Sequence, residues 1–235
     1  MNSLKNPKTI KQVVFVFPFL FLAVCLQLKR MPNPTYYLMI QEDHILENLQ
    51  FVFYFLASVW ALLIAVRFSR TKRPFHSGMY GLLAFALFFT AGEEISWGLR
   101  IFHYIVPHYF RIHNIQQETT IHNLGAIQPR MVYVCMLVGF FGAFGWLLLK
   151  AAKGGLRSFF DWFIPDWFIG SYFLPTFLLN LYFWLGSCFV SHGIDAFPIG
   201  KFIIWRDQEA TEFLQALGFM VFAIVIRNRQ KTAGP

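Results

Sequence analysis

Charge is what this sequence has least of: Asp, Glu, Lys and Arg make up only 14% of its 235 residues, against about 25% in soluble domains. Hydrophobic residues make up 57%, and a water-soluble domain with that ratio would expose enough apolar surface to aggregate. The shortage excludes an ordinary soluble protein and points to an integral membrane protein. Cysteine is scarce too. Cys25, Cys135 and Cys188 each fall in an apolar stretch, and an odd count without CxxC spacing gives neither a disulfide framework nor a thiolate metal site. They read as small buried residues. Strand alternation is missing, which argues against an outer-membrane barrel. So are the Gly-rich phosphate loops and the HExxH zinc motif, the histidines within spans that haem would need, and the repeated arginines of a voltage sensor.

What is there is apolar length. Six stretches, about 13–28, 47–67, 76–98, 131–149, 168–190 and 210–226, reach or approach the roughly 20 residues that a helix needs to cross a bilayer. In hydrocarbon every backbone polar group must be satisfied internally, so these are helices. The expectation is an all-α integral membrane protein, a bundle of about six transmembrane helices forming one domain over 1–235. The first stretch follows Lys5, Lys8 and Lys11 and ends in Lys29-Arg30 without a small-x-small cleavage site. That reads as an uncleaved anchor.

The net charge of +8 divides by side. Thirteen Lys and Arg fall in the segments on the N-terminal side of the membrane and seven on the other, which favours both termini in the cytoplasm. Ten of the twelve acids, and six of the seven histidines, fall on the exoplasmic side. The halves total about +11 inside and −3 outside. The inner surplus reports topology and contact with anionic lipid rather than nucleic acid. The setting it suggests is a membrane with both termini on its inner face. Function is to be sought in the outer acids.

The densest polar pattern is TAGEEISWGLR, Thr90 to Arg100, at the outer end of the third stretch. A charged group costs on the order of 2–3 kcal/mol at the centre of a membrane helix and less near the interface, so Glu93 and Glu94 need partners. At 100° per residue Glu93, Trp97 and Arg100 share a face, making Arg100 an ion-pair candidate for Glu93. Residues 101–130 are too polar to span and read as an exoplasmic loop or re-entrant segment. Within them Glu118 and His122 are i, i+4. If QETTIHN is helical they project together, as a pair must to share a cation or a proton, with Asn123 beside them. His103, His108 and His113 match no ligand spacing and read as interfacial aromatics.

Two further acidic segments open spans from outside: QEDHILENLQ, with Asp43 and Glu47, and RDQEATEFLQ, with Glu209 and Glu212. Acids at a helix N-terminus complement its dipole. The shared ExLQ pattern of Glu47–Gln50 and Glu212–Gln215 also fits a duplicated hairpin. GEEISWGLRIF followed by Asn114, Gln116, Glu118, His122 and Asn123 resembles a recurrent signature of an uncharacterised group of bacterial multi-pass membrane proteins. The likeness covers the two motifs closely and about 60–230 loosely, with one departure, Leu99, where the group has Gln. It implies that the motif residues belong together and implies no reaction.

The expected function is a membrane-embedded enzyme with a polar site at the exoplasmic leaflet. Glu93, Glu94, Glu118, His122 and Glu212 would carry the chemistry, with Asp43, Glu47 and Glu209 behind them. Trp97, Arg100, Arg111 and Asn123 would contact a lipid or lipid-linked substrate, where arginine suits a phosphate. Glu94, Glu118 and His122 are donor types that suit zinc, manganese or iron, for metal-assisted hydrolysis or transfer. Without metal, the carboxylates and imidazole would work as an acid–base set. Two other classes compete: a proton- or cation-coupled transporter, which intramembrane acids favour by default, and a non-catalytic assembly or accessory protein.

Overall fold

In the computed structural model, which describes residues 7–32, 34–41, 44–191 and 202–232, the chain is helical and no strand forms among the described residues. Among the described residues ten α-helices follow in order: α1 Pro7–Arg30, α2 Thr35–Met39, α3 Ile45–Arg70, α4 Pro74–Glu94, α5 Leu99–Phe102, α6 His108–His113, α7 Gln128–Ala151, α8 Gly154–Phe160, α9 Gly170–Ser191 and α10 Gln208–Thr232. Six of them, α1, α3, α4, α7, α9 and α10, are long and apolar enough to cross a membrane. This is an all-α, multi-pass integral membrane protein.

The helices run past the apolar stretches on which they are built. α1 takes in Lys8, Lys11, Lys29 and Arg30, and α3 takes in Arg67 and Arg70. Except at Lys29, whose ammonium is buried against Asp207, such long basic side chains let a helix continue beyond the hydrocarbon while their charges reach the interface. Pro18 lies inside α1, where neighbouring groups in a membrane helix can re-satisfy the backbone it disrupts. Two boundaries move the other way, and one is slight: the fifth stretch, expected from 168, becomes helix at Gly170. The third stretch, expected to reach residue 98, is helical only to Glu94.

The chain divides into two compact units, Met1–Leu46 with Val132–Gly218, and Glu47–Met131 with Phe219–Pro235. In the first, α7 and α9 approach by small residues. A Cβ on Gly142 would fall 2.2 Å from the Phe173 ring, and one on Gly170 would fall 2.7 Å from the Ala143 carbonyl. Thr176 of α9 donates its hydroxyl to the Thr211 carbonyl of α10 at 2.9 Å, and buried Asn180 donates to the Thr176 carbonyl at 2.9 Å. The second unit follows the same rule. Ala57, Ala61 and Ala65 recur every fourth residue on α3 and are buried. Ser58 donates to the Ala84 carbonyl, Ser77 to the Ala65 carbonyl and Gln230 to the Ile64 carbonyl, at 2.9, 2.9 and 3.2 Å. Lipid tails are as apolar as leucine, so close backbone approach and hydrogen bonds, rather than hydrophobic exclusion, hold membrane helices together.

Overpacking a tight interface costs about 1–3 kcal/mol, so Gly142→Leu lowers the thermal unfolding midpoint in detergent. Gly78→Leu, where a Cβ meets nothing within 4 Å, leaves the midpoint unchanged. Equal midpoints for the two variants contradict a packed α7–α9 interface.

Candidate functional site

The site is built where α4 stops. Ser96, Trp97 and Gly98 take positive φ angles of 48°, 54° and 78°, a left-handed backbone that costs a non-glycine residue roughly 1–2 kcal/mol. The turn reverses Trp97 onto the helix it has just left. Its ring lies where a Cβ on Gly92 would be, 2.9 Å away, and packs against Phe88 and Phe89 with centroids 6.4 and 5.3 Å apart. Gly92 is therefore glycine for room, and Gly98 for its φ. The reversal carries the Trp97 indole N–H to Glu93 Oε1 at 2.6 Å.

Glu93 is 5% exposed, and its other oxygen gathers the loop. Oε2 accepts the Ile121 amide at 2.6 Å, the His122 amide at 2.9 Å and the His122 Nδ1 at 3.0 Å. One buried carboxylate therefore binds four donors from two separate stretches. Hydrogen bonds to a charged group are worth about 1.5–3 kcal/mol each, enough to offset both the burial of the charge and the two strained residues.

The loop is shaped to deliver those donors. Residues 116–122 are turns and bends rather than the helix that would pair Glu118 with His122. Asn114 organises them. Its amide nitrogen donates to the Thr120 carbonyl and hydroxyl at 2.6 and 2.9 Å, and its oxygen accepts the Gln116 and Glu118 amides at 2.9 and 3.3 Å. That uses all four hydrogen bonds an asparagine side chain can make. A lone antiparallel bridge between Asn114 and Leu124 closes the loop, with Ile115 N donating to Asn123 O and Gly125 N to His113 O, both at 2.9 Å. The buried Asn123 amide donates to Gln116 Oε1.

A second tie runs through Glu118. The Ser96 hydroxyl donates to Glu118 Oε2 at 2.5 Å, and the Tyr104 hydroxyl donates to the Ser96 carbonyl at 3.0 Å. Glu93, Trp97, Glu118, His122 and Asn123 thus all take part in docking the loop on the helix end. Their pairings differ from those the sequence suggested. His122 is held by Glu93 rather than by Glu118, because α4 ends and the 116–122 segment turns. Trp97 meets Glu93 through a reversal rather than through helical spacing.

The remaining expected residues fall as follows. Glu94 is the last residue of α4 and half-buried. Arg111 is exposed on α6. The Arg100 side chain and Asp43 lie outside the described residues. Glu47 is in the first turn of α3, and Glu209 in the first turn of α10 with Glu212 one turn on. Glu209 and Glu212 belong to the first unit, whereas the Glu93 cluster belongs to the second. Among the described residues, no three His, Cys, Asp or Glu are grouped so that they could hold a metal ion.

Ser96, Tyr104 and Thr120 carry polar contacts that the sequence did not single out. The signal for the first was available in S-W-G after two glutamates, a helix-ending pattern read instead as a continuing helix. Comparison with known family models, curated proteins and solved structures finds no match to this chain. What fold and site define together is a class: a six-span membrane protein with a polar loop docked on a buried glutamate.

Removing the acceptor leaves its donors unsatisfied. Glu93→Ala therefore frees the loop and raises the rate of trypsin cleavage after Arg111 and Arg130 at least tenfold, with helix content by circular dichroism unchanged. Unaltered cleavage contradicts the docking role of Glu93.

Proposed function

We propose that the protein is a membrane-embedded enzyme in which His122 is the general base, oriented by Glu93, and the substrate is a lipid or lipid-linked molecule. The observation that carries this reading is the imidazole–carboxylate pair itself. An ionised carboxylate can only accept, so Nδ1 of His122 carries the proton given to Glu93, and in the neutral ring the base is then Nε2. The His122 side chain is 35% exposed and that of Glu93 6%, so the base is reachable while its orienting acid is shielded. A buried carboxylate that fixes a histidine tautomer and then stabilises the imidazolium is a known arrangement for proton abstraction. Glu93 is thus a positioning residue rather than the acid that sequence alone made it. Once protonated, the His122 imidazolium itself holds the proton to be given to the leaving group.

The lipid substrate is supported by what flanks the pair. Phe102, Ile105 and Ile112 are 74%, 85% and 60% exposed on the short segments between α4 and the loop, an apolar surface that suits an amphiphile arriving from the bilayer. The excess of basic residues on the N-terminal side supports cytoplasmic termini, and with them a site facing the exoplasmic side of a bacterial inner membrane. The same four hydrogen bonds to Glu93 favour a second reading, in which the docked loop is an architectural cap on an accessory protein.

Cells expressing the wild type and His122→Gln separate the two readings by lipid mass spectrometry. Glutamine keeps an N–H for Glu93 but no base. Because general acid–base catalysis contributes about 10²–10⁴-fold, the enzyme reading predicts a lipid species converted by the wild type and at least 100-fold more slowly by His122→Gln, at equal protein level. Identical lipid profiles for wild type, His122→Gln and empty vector contradict it and leave the cap.

A further inference from the structure

The first unit contains a cavity of about 330 Å³, at the small end of the roughly 300–1,000 Å³ range of ligand pockets. Three helical stripes wall it: Leu22, Cys25, Leu26 and Lys29 on α1, Pro175, Leu178, Leu179 and Tyr182 on α9, and Ala210 and Thr211 on α10. The first two stripes each follow i, i+3, i+4, i+7 spacing, so each presents one face over about 10 Å of helix. The wall is apolar along this length and polar at one end.

That end is a closed set of charges. Lys29 Nζ donates to Asp207 Oδ1 at 2.7 Å and Oδ2 at 2.5 Å, with the two side chains 4% and 12% exposed. The Tyr36 hydroxyl donates to Oδ1 at 2.6 Å and the Ile204 amide to Oδ2 at 2.8 Å. Burial, and then the hydrogen bond to Asp207, push the Tyr36 phenol above its ordinary pKa, so it stays a neutral donor. The Lys29 ammonium also faces the rings of Tyr36 and Phe202, 5.3 and 5.0 Å from their centroids. Both Asp207 oxygens are thereby occupied. Among the described residues two capacities remain, the third ammonium hydrogen, which faces only rings, and a lone pair of the Tyr36 oxygen.

We propose that this cavity binds a hydroxyl-headed lipid, its single chain along the α1 and α9 stripes and its hydroxyl between Lys29 and Tyr36. A hydroxyl can accept from the ammonium and donate to the phenol oxygen at once, which matches both open capacities. The pair is neutral as it stands. A carboxylate or phosphate head would have to come up against Asp207, and an amine head against Lys29, each leaving a buried charge without full compensation. The occupant is therefore an uncharged amphiphile of one tail, a long-chain alcohol or a monoacylglycerol. This site is independent of the reading of His122.

The test uses the full chain in phosphatidylcholine nanodiscs and two photoreactive probes with the same tail, a diazirine hexadecanol and a diazirine hexadecanoic acid. Hexadecanol is expected to label peptides of α1, α9 and 202–211 saturably and to be displaced by unlabelled hexadecanol. Hexadecanoic acid is expected to label them at least tenfold less at equal concentration. Ala210→Phe, which fills the cavity, should abolish the labelling, and Tyr36→Phe, which removes only the oxygen, should weaken hexadecanol labelling at least fivefold. Tyr36→Phe keeps the test decisive if Ala210→Phe does not fold. Equal labelling by both probes, labelling that unlabelled hexadecanol does not displace, or labelling unchanged in Tyr36→Phe overturns the proposal.

Discussion

A carboxylate at the end of a membrane helix must find donors, and Glu93 finds four. They come from the indole just beyond the helix and from two backbone amides and a histidine nearly thirty residues on. Most of the loop's architecture is the delivery of those donors. The left-handed turn at Ser96–Gly98 brings the indole back, Gly92 makes room for it, and Asn114 folds the 116–120 segment so that Ile121 and His122 reach the acid. In the apolar surroundings of α4, an unmet charge would cost more than the strain and ordering spent to meet it. The chemistry proposed for His122 follows from the same constraint, since the bond that orients the ring is one of the four.

The helix contacts within each unit follow a different rule. Hydrophobic contact discriminates little between lipid and protein, so association relies on glycines and alanines that let backbones meet and on hydroxyls that donate to carbonyls of a neighbouring helix. The apolar surface that results is the one a bilayer covers. Within the first unit a buried ion pair at Lys29 and Asp207 stands beside an apolar cavity, and the pair's neutrality is the ground for proposing an uncharged head group there.

Much of this was legible from composition and spacing. Six spans follow from apolar length alone, since a bilayer imposes one dimension on every helix that crosses it. The residues gathered at Glu93 were legible as types: Trp97, Glu118, His122 and Asn123 all stand in the docked loop. Their partners were not. Helical spacing joined Glu118 to His122 and set Trp97 on the Glu93 face by continuing a helix, but helical spacing holds only while the helix lasts: 116–122 turns, and α4 stops at Glu94. The stop lies at a positive-φ turn in which only Gly98 of three residues is glycine; that glycine is the one local sign of it, and tertiary hydrogen bonds hold Ser96 and Trp97 in the conformation. The Lys29–Asp207 pair spans 178 residues, and no pattern in a single sequence reveals a contact of that separation. Glu209 and Glu212 open α10 in the first unit and the Glu93 cluster lies in the second; acids at helix openings look alike whichever helix they open.

Backbone hydrogen exchange at two amides tests the central role of Glu93 most directly. The Ile121 and His122 N–H groups lie in a turn, where amides without a protein acceptor exchange rapidly with solvent. If Glu93 holds them, both exchange slowly in the wild type and at least tenfold faster in Glu93→Ala, while amides within α3 are unaffected. Rapid exchange of both in the wild type, or equal rates in the two proteins, would contradict it.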